Sequence, residues 1–245
     1  MKDENLKQEI SWLLRDKYNG VESEEYKQDI KKLESGFPLA YLIGWVPFFG
    51  AKIYLDSKPL IPRGETEYLV SNIIQSLESK DLSDFSILDL CAGSGCIGVA
   101  LAKKFPQIKV DFAEIDTVHH ETIRKNLKEN TIEENRVNIF DGSLFQNIAD
   151  KYDLIITNPP YIDASLKRVP ESVLNYEPHK ALFGGDKGME IIEQILKEYG
   201  NHLKENGELY IEHEPEQTEA ISKFSGFRET LKDQFGINRF SRFGK

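Results

Sequence analysis

The chain predicts an α/β fold, a seven-stranded mixed sheet with helices on both faces, preceded by a short helical appendage and a β-hairpin linker. Three observations carry this reading. From Phe85 onward, short apolar runs alternate with helical stretches, the pattern of a parallel sheet crossed by helices. A glycine-rich turn, Cys91-Ala92-Gly93-Ser94-Gly95, separates the first run from the first helix. The last two runs lie close enough for a hairpin, which would leave one antiparallel strand at the sheet edge.

The elements follow in order. Residues 3–18 carry Leu6, Ile10, Leu13 and Leu14 on one helical face, with Gly20 as a stop. A second helix is expected over 23–34, capped by Ser23 and ended by Gly36. Two such helices cannot make a core alone and must pack on something. Residues 37–64 are dense in aromatics, punctuated by proline and glycine, with a strand over 51–55 in a hairpin. These aromatics read as packing between the small and large parts. Ile61-Pro62-Arg63-Gly64-Glu65-Thr66-Glu67 is a charged turn into a helix bearing Leu69, Val70, Ile73, Ile74 and Leu77. Strands are then expected at 86–90, 108–113, 136–140, 153–157, 207–212, 226–231 and 237–243. Helices are expected at 95–105, 117–130, 188–200 and 215–224. The division is therefore 1–36, a helical unit; 37–64, a hairpin linker; and 65–245, the main domain.

Composition narrows the function. The 245 residues suffice for a real core, and 40% hydrophobic with 29% charged content is that of a soluble globular protein. A net charge of −10 argues against a constitutive nucleic-acid binder. The charged start, Met1-Lys2-Asp3-Glu4-Asn5, has no apolar signal stretch, and no segment has the length to span a membrane; a cytoplasmic monomer is expected. Cys91 and Cys96 lack C-x-x-C spacing and read as small buried thiols. His119 and His120 are adjacent on a helix and share no face, so no metal site is expected.

The chemistry-bearing stretch is Thr157-Asn158-Pro159-Pro160-Tyr161-Ile162, after the apolar run Tyr152-Asp153-Leu154-Ile155-Ile156. Consecutive prolines fix their own φ, lack N–H groups and hold Asn158 extended. The turn offers one amide side chain, the Pro159 carbonyl and an aromatic ring, which can receive a planar –NH2 group; by itself it could equally just end a strand. In the glycine-rich turn, Gly93 and Gly95 allow close ligand approach, while Gly98 allows helix and sheet to pack. A turn of that kind suits a nicotinamide cofactor, a phosphate or simple packing. At the end of the second strand, Glu114 or Asp116 can accept ribose hydroxyls. Asp116 also suits a helix cap, which favours Glu114 for the ribose.

Asp89-Leu90-Cys91-Ala92-Gly93-Ser94-Gly95 resembles motif I of class I S-adenosylmethionine-dependent methyltransferases. Asn158-Pro159-Pro160-Tyr161 resembles the motif of those that act on amino or amide nitrogen. Ala40-Tyr41-Leu42-Ile43-Gly44, the 60–67 turn, Tyr176-Glu177-Pro178 with Ala181-Leu182, and Gly188-Met189 narrow the likeness to the HemK/PrmC protein-glutamine methyltransferases. The resemblance implies a Rossmann-like methyltransferase fold. It also implies methyl transfer from S-adenosylmethionine, leaving S-adenosylhomocysteine, to the glutamine of the Gly-Gly-Gln loop of class I peptide chain release factors. It implies that Asn158, Pro159 and Tyr161 are catalytic. Asp89, Gly93, Gly95, Glu114 and Asn158 would face the cofactor, with Asp141 or Ser143 at the adenine, where the family's acid is displaced. Asn158, Pro159, Pro160, Tyr161, Arg63 and Glu65 would face the substrate. Two departures stand out. Gly64 replaces a family proline, and the helical stretch before Gly36 is about half the usual length. Alternative readings are a ribosomal-protein glutamine or an exocyclic amine of RNA or DNA as substrate, or a non-catalytic S-adenosylmethionine-binding module.

Overall fold

The computed structural model describes residues 2–245. Helices α1 (Lys2–Asp16), α2 (Glu24–Glu34) and α3 (Leu39–Ile43) precede a hairpin of β1 (Trp45–Phe48) and β2 (Ala51–Tyr54). Then follow α4 (Gly64–Leu77), β3 (Ser86–Leu90), α5 (Cys96–Lys104), β4 (Lys109–Glu114), α6 (His120–Glu129), β5 (Val137–Asp141) and β6 (Tyr152–Thr157). The chain closes with α7 (Glu171–Tyr176), α8 (Glu190–Glu198), β7 (Leu203–Glu212), α9 (Thr218–Ile221), β8 (Phe227–Lys232) and β9 (Asn238–Gly244).

Seven strands form one sheet in the order β5-β4-β3-β6-β7-β9-β8, parallel except where β9 meets its neighbours. Both faces are covered. Leu154 and Ile156 of β6 belong to the core under α4 and α5, whereas Ile155 points into the core under α8. That double burial is why β3 and β6, Asp89 and Asp153 apart, are apolar at successive positions rather than alternating. Leu90 lies in register with Ala113 on one side and Thr157 on the other, and Glu114 with Asp141. Hence Cys91, Glu114, Asp141 and Asn158 all emerge along one rim of the sheet, beyond the carboxyl ends of the strands, where open α/β sheets bind ligands.

The N-terminal helices and α3 close a small core of their own, built on Leu13, Tyr26, Leu33 and Leu42. Ser23 caps α2 by accepting from the Tyr26 N–H, as its position predicts. The hairpin is seated on α6 by two asparagines one turn apart. Asn126 Oδ1 accepts from the Tyr54 N–H at 2.7 Å and Asn130 Oδ1 from Lys52 at 3.1 Å, and both amides donate back to the same residues' carbonyls. Asn126 also donates to the Ser94 carbonyl, tying the hairpin to the glycine-rich loop.

Three expectations need correction. The antiparallel strand is not at the edge: β9 inserts between β7 and β8, and β8 is outermost. Burial explains the choice, because β9 brings Phe240, Ser241 and Phe243 inside while β8 has no fully buried residue. The helix expected over 215–224 is a 3-10 turn, Pro215–Gln217, followed only by the short α9. The Gln217 side chain there leaves solvent to bond the Glu214 N–H and the Tyr161 carbonyl. Finally, α3 and α7 have no counterpart in the prediction. At 5 and 6 residues they are too short to show a helical period.

Candidate functional site

The glycine-rich loop leaves β3 through residues with positive φ, Cys91 at 62°, Gly93 at 54° and Gly95 at 74°. Beneath it, Asp89 is buried, and its Oδ2 accepts from the Gly98 N–H at 2.8 Å. Gly98 has no room for a side chain: a Cβ there would lie 2.3 Å from the Phe112 ring. Burial, aided by the nearby Glu114 charge, pushes the Asp89 carboxyl up to about 8 against the pull of the Gly98 bond. Its Oδ1 has no partner among the described residues. Asp89 therefore lies under the loop and sets where α5 begins, instead of lining the cavity above. Gly95 likewise faces Phe112 and Ile123 rather than open space.

That cavity holds about 370 Å³ and is walled by Cys91, Gly93, Glu114, Asp116, His119, Ser143, Asn158 and Pro160, among others. Glu114 Oε2 accepts from the Gly93 N–H at 2.7 Å, and Oε1 from the Asp116 N–H at 2.8 Å. A carboxylate has about four lone-pair positions, so each oxygen keeps one for a hydroxyl. Asp116 caps the turn that opens the next helical stretch, accepting from Val118. Of the two adenine-end candidates, Ser143 is in the wall, while Asp141 is exposed and outside it. His119, weighed above only as a metal ligand, is in the wall and bonded to the Ser57 hydroxyl at 2.8 Å. A slot lined by the glycine-rich loop and by a carboxylate with lone pairs to spare fits S-adenosylmethionine.

A second, larger cavity of about 660 Å³ adjoins the first. Its wall includes Pro159, Tyr161, Ile162, Val173, Met189 and Gln217, so it is mainly apolar. Leu60, Arg63, Asn158 and Ala181 line both cavities. The two prolines divide between them, Pro159 facing the larger and Pro160 the smaller. The Asn158 side chain thus stands in the partition. Its Nδ2 donates to Thr66 Oγ1 at 3.0 Å, and its Oδ1 has no partner among the described residues.

The surrounding turns lock this partition. Glu177, buried, accepts from the Ile61 N–H at 3.0 Å and from the Arg63 guanidinium at 2.8 Å. The Ile61–Arg63 and Tyr176–Glu177 motifs are therefore one clamp. Arg63, expected to face the substrate, is in the wall with its charge already paired to Glu177. Glu65 lines neither cavity; the next residue, Thr66, does. Glu67 accepts from the Phe49 N–H and holds the hairpin turn. The Tyr161 ring does not stand free over a ligand: its hydroxyl donates to Glu212 Oε1 at 2.9 Å. Behind it, Gly188 packs so closely that a Cβ would lie 1.9 Å from the Tyr161 carbonyl oxygen. His213 is wholly buried. Its Nδ1–H donates to the Glu214 carbonyl, so its Nε2 accepts from Ser241. Burial moves it down to about 4, and it lines neither cavity, nor does His179. Among the described residues no cluster of His, Cys, Asp and Glu could hold a metal.

Glu212, at the end of β7, is the residue the sequence reading missed. It is 1% exposed, and burial pushes its carboxyl up to about 7, against the bonds from Thr66 and Tyr161 and the pull of Arg239; Glu65 adds to the rise. A carboxyl raised in the fold above its free value of 4.5 keeps its proton longer when folded. Its ionisation therefore costs stability; the cost is absent below that value and fully present above about 7. Relative to Glu212→Gln, the parent protein is expected to lose on the order of 3 kcal/mol as pH rises from 4 to 8. Denaturant titrations of both proteins across that range check it, and a pH-independent difference would contradict the assignment.

An open α/β sheet in this strand order, a glycine-loop cavity with a ribose-type carboxylate, and an adjoining Asn-Pro-Pro-Tyr turn define an S-adenosylmethionine-dependent methyltransferase. The methyltransferase small domain family matches residues 66–175. A methyltransferase from Pyrococcus furiosus has the same fold, with a TM-score of 0.58 and 21% identity over 80% of this chain and 90% of that one. The N-terminal domain of human METTL16, solved in complex with SAH, superposes with a TM-score of 0.50 and 17% identity over 80% of this chain and 76% of that one. In sequence, the chain is 35% identical to the release factor glutamine methyltransferase of Streptococcus pneumoniae, over 89% of this chain and 79% of the relative. The chain belongs to the release factor glutamine methyltransferase family. Among its described residues, no helix is long and apolar enough to cross a membrane.

Proposed function

We propose that this protein methylates the side-chain amide nitrogen of the glutamine in the Gly-Gly-Gln loop of class I peptide chain release factors. The observation that carries the reading is the Asn158 side chain in the partition between the two cavities, with its oxygen unpartnered. The 35% identity to a relative named for that reaction supports it.

The bound S-adenosylmethionine supplies a methyl group already activated on a sulfonium. The chain's own work is to place the amide. Asn158 Oδ1 and the Pro159 carbonyl each accept one N–H, fixing the amide plane and raising electron density on nitrogen. A primary amide is a poor nucleophile, so alignment matters most, and good placement can remove roughly 7–11 kcal/mol of the barrier. When bound, S-adenosylmethionine would give its methyl to the amide nitrogen held by Asn158 and Pro159, its sulfur keeping the electron pair of the broken carbon–sulfur bond, and the nitrogen would release an N–H proton to water. The apolar wall of the larger cavity keeps water from competing. Glu114 holds the ribose, and Ser143 borders the adenine. Pro160 closes the cofactor side of the turn, and Tyr161 anchors its far end. Arg63, paired to Glu177, shapes the partition. The units 1–36 and 37–64 dock the substrate onto the catalytic unit 65–245. The protein acts as a cytoplasmic monomer.

The test supplies labelled S-adenosylmethionine and, separately, a class I release factor, a ribosomal protein and tRNA. Mass spectrometry then locates the methyl. Label on the Gly-Gly-Gln glutamine is expected; label on nucleic acid or the ribosomal protein alone would overturn the reading.

A further inference from the structure

We propose that Glu212, acting through Thr66, is the positioning residue that decides which way the Asn158 amide faces. The inference rests on the reading of Asn158 as the amide acceptor and adds what orients it.

Three elements meet here: Thr66 from the first turn of α4, Asn158 from the end of β6, and Glu212 from the end of β7. Asn158 Nδ2 is 3.0 Å from Thr66 Oγ1, which is 2.7 Å from Glu212 Oε2; Tyr161 Oη is 2.9 Å from Glu212 Oε1. Thr66 is 2% exposed and Glu212 1%, so water cannot substitute for either partner.

Such a chain has a direction. Below about pH 7 a protonated Glu212 leaves this direction open, but above it the ionised carboxylate can only accept. Thr66 must therefore donate its single proton to Glu212, which leaves its oxygen as an acceptor toward Asn158. Asn158 must answer with its –NH2, and its carbonyl oxygen is turned to the partition. An asparagine amide has two nearly isosteric orientations, distinguished only by their hydrogen bonds. The flipped one would present an –NH2 to an incoming –NH2, donor against donor. Glu212 excludes that state from a position that touches no reacting atom. Tyr161, donating to the other oxygen, brings the far end of the same turn under the same control. The arrangement explains why the first turn of α4 carries a threonine between two acids, of which one lines no cavity and the other braces the hairpin.

The experiment uses full-length protein and a Gly-Gly-Gln release factor. Thr66→Val keeps the shape and removes the hydroxyl. We expect kcat to fall about 10- to 100-fold, the scale of a misplaced reacting group, with cofactor Kd by calorimetry moving by no more than a few-fold although Thr66 borders that cavity. Thr66→Ser should recover kcat to within a few-fold. Glu212→Leu, which offers Thr66 no acceptor, should lose as much as Thr66→Val. The decisive readout is a double-mutant cycle: in an Asn158→Ala background, Thr66→Val should cost nothing further, because it acts only through Asn158. Additive losses, or a parallel loss of cofactor affinity, would reduce Thr66 and Glu212 to packing and overturn the inference. Full activity of Thr66→Val beside an inactive Asn158→Ala would sink it while leaving the acceptor reading intact. Full activity of Asn158→Ala would remove both.

Discussion

Asn158→Ala is expected to keep S-adenosylmethionine binding within a few-fold and to lose turnover by about 10²- to 10³-fold, the loss typical when one preorganised electrostatic partner is removed from a dry site. Asn158 borders both cavities, but its polar groups are committed unequally: Nδ2 is held by Thr66, and Oδ1 alone is unpartnered. Truncation therefore removes an acceptor for the incoming amide and only wall area for the cofactor. The remaining acceptor, the Pro159 carbonyl, belongs to a backbone fixed by two prolines and survives the substitution. The amide would then be held by one bond and free to turn about it. Calorimetry with the cofactor and single-turnover methyl transfer separate the two effects. Equal loss of both would make Asn158 a structural part of the cofactor pocket.

The second large effect is expected at Gly188. Its φ is +69°, and a Cβ would sit 1.9 Å from the Tyr161 carbonyl oxygen. That oxygen is already bonded to Gln217 at 2.8 Å, so the turn cannot move aside without breaking that bond. Gly188→Ala is expected to destabilise the fold by about 3 kcal/mol, combining left-handed backbone strain with the displaced contact. For a chain of this size that lowers Tm by roughly 6–12 °C. Methyl transfer should fall with it, because Tyr161 and Pro159 belong to the displaced turn. Gly200→Ala is the control: nothing lies within 4 Å of a Cβ there. Equal melting temperatures for the two variants would show that the Gly188 loop does not brace the Asn158–Tyr161 turn.

Much of this was legible from sequence because it is local. A strand ending in Asn-Pro-Pro-Tyr, a glycine-rich turn and an acid at the next strand end each declare themselves within a few residues. Ser23, Asp116 and Gly98 also do what their positions predict. What the sequence concealed is long-range. Thr66 and Glu212 are 146 positions apart, and Ile61 and Glu177 are 116 apart. Spacing along the chain carries no sign of such pairs. Glu212 stood in view at the end of a predicted strand, as Glu114 did. Only strand order sets Glu212 on the Asn158 side of the sheet, because β6 and β7 are neighbours. Asp89 and Gly95 were read as facing a ligand, but strands and turns point residues to both sides, and these two point inward.

The asparagines that seat the hairpin have a consequence for how the chain behaves before it is complete. Two strands alone are marginally stable in water, and an exposed strand edge invites pairing with another molecule. Here the backbone groups of Lys52 and Tyr54 on the β2 edge are satisfied by side-chain amides of α6, residues 126 and 130, rather than by a third strand. The hairpin is therefore made some seventy residues before its partner. Until α6 docks, the β2 edge is open to other chains; afterwards it has no backbone donor or acceptor at those positions to offer them. The same two amides that fix the linker also end its hazard as an aggregation template.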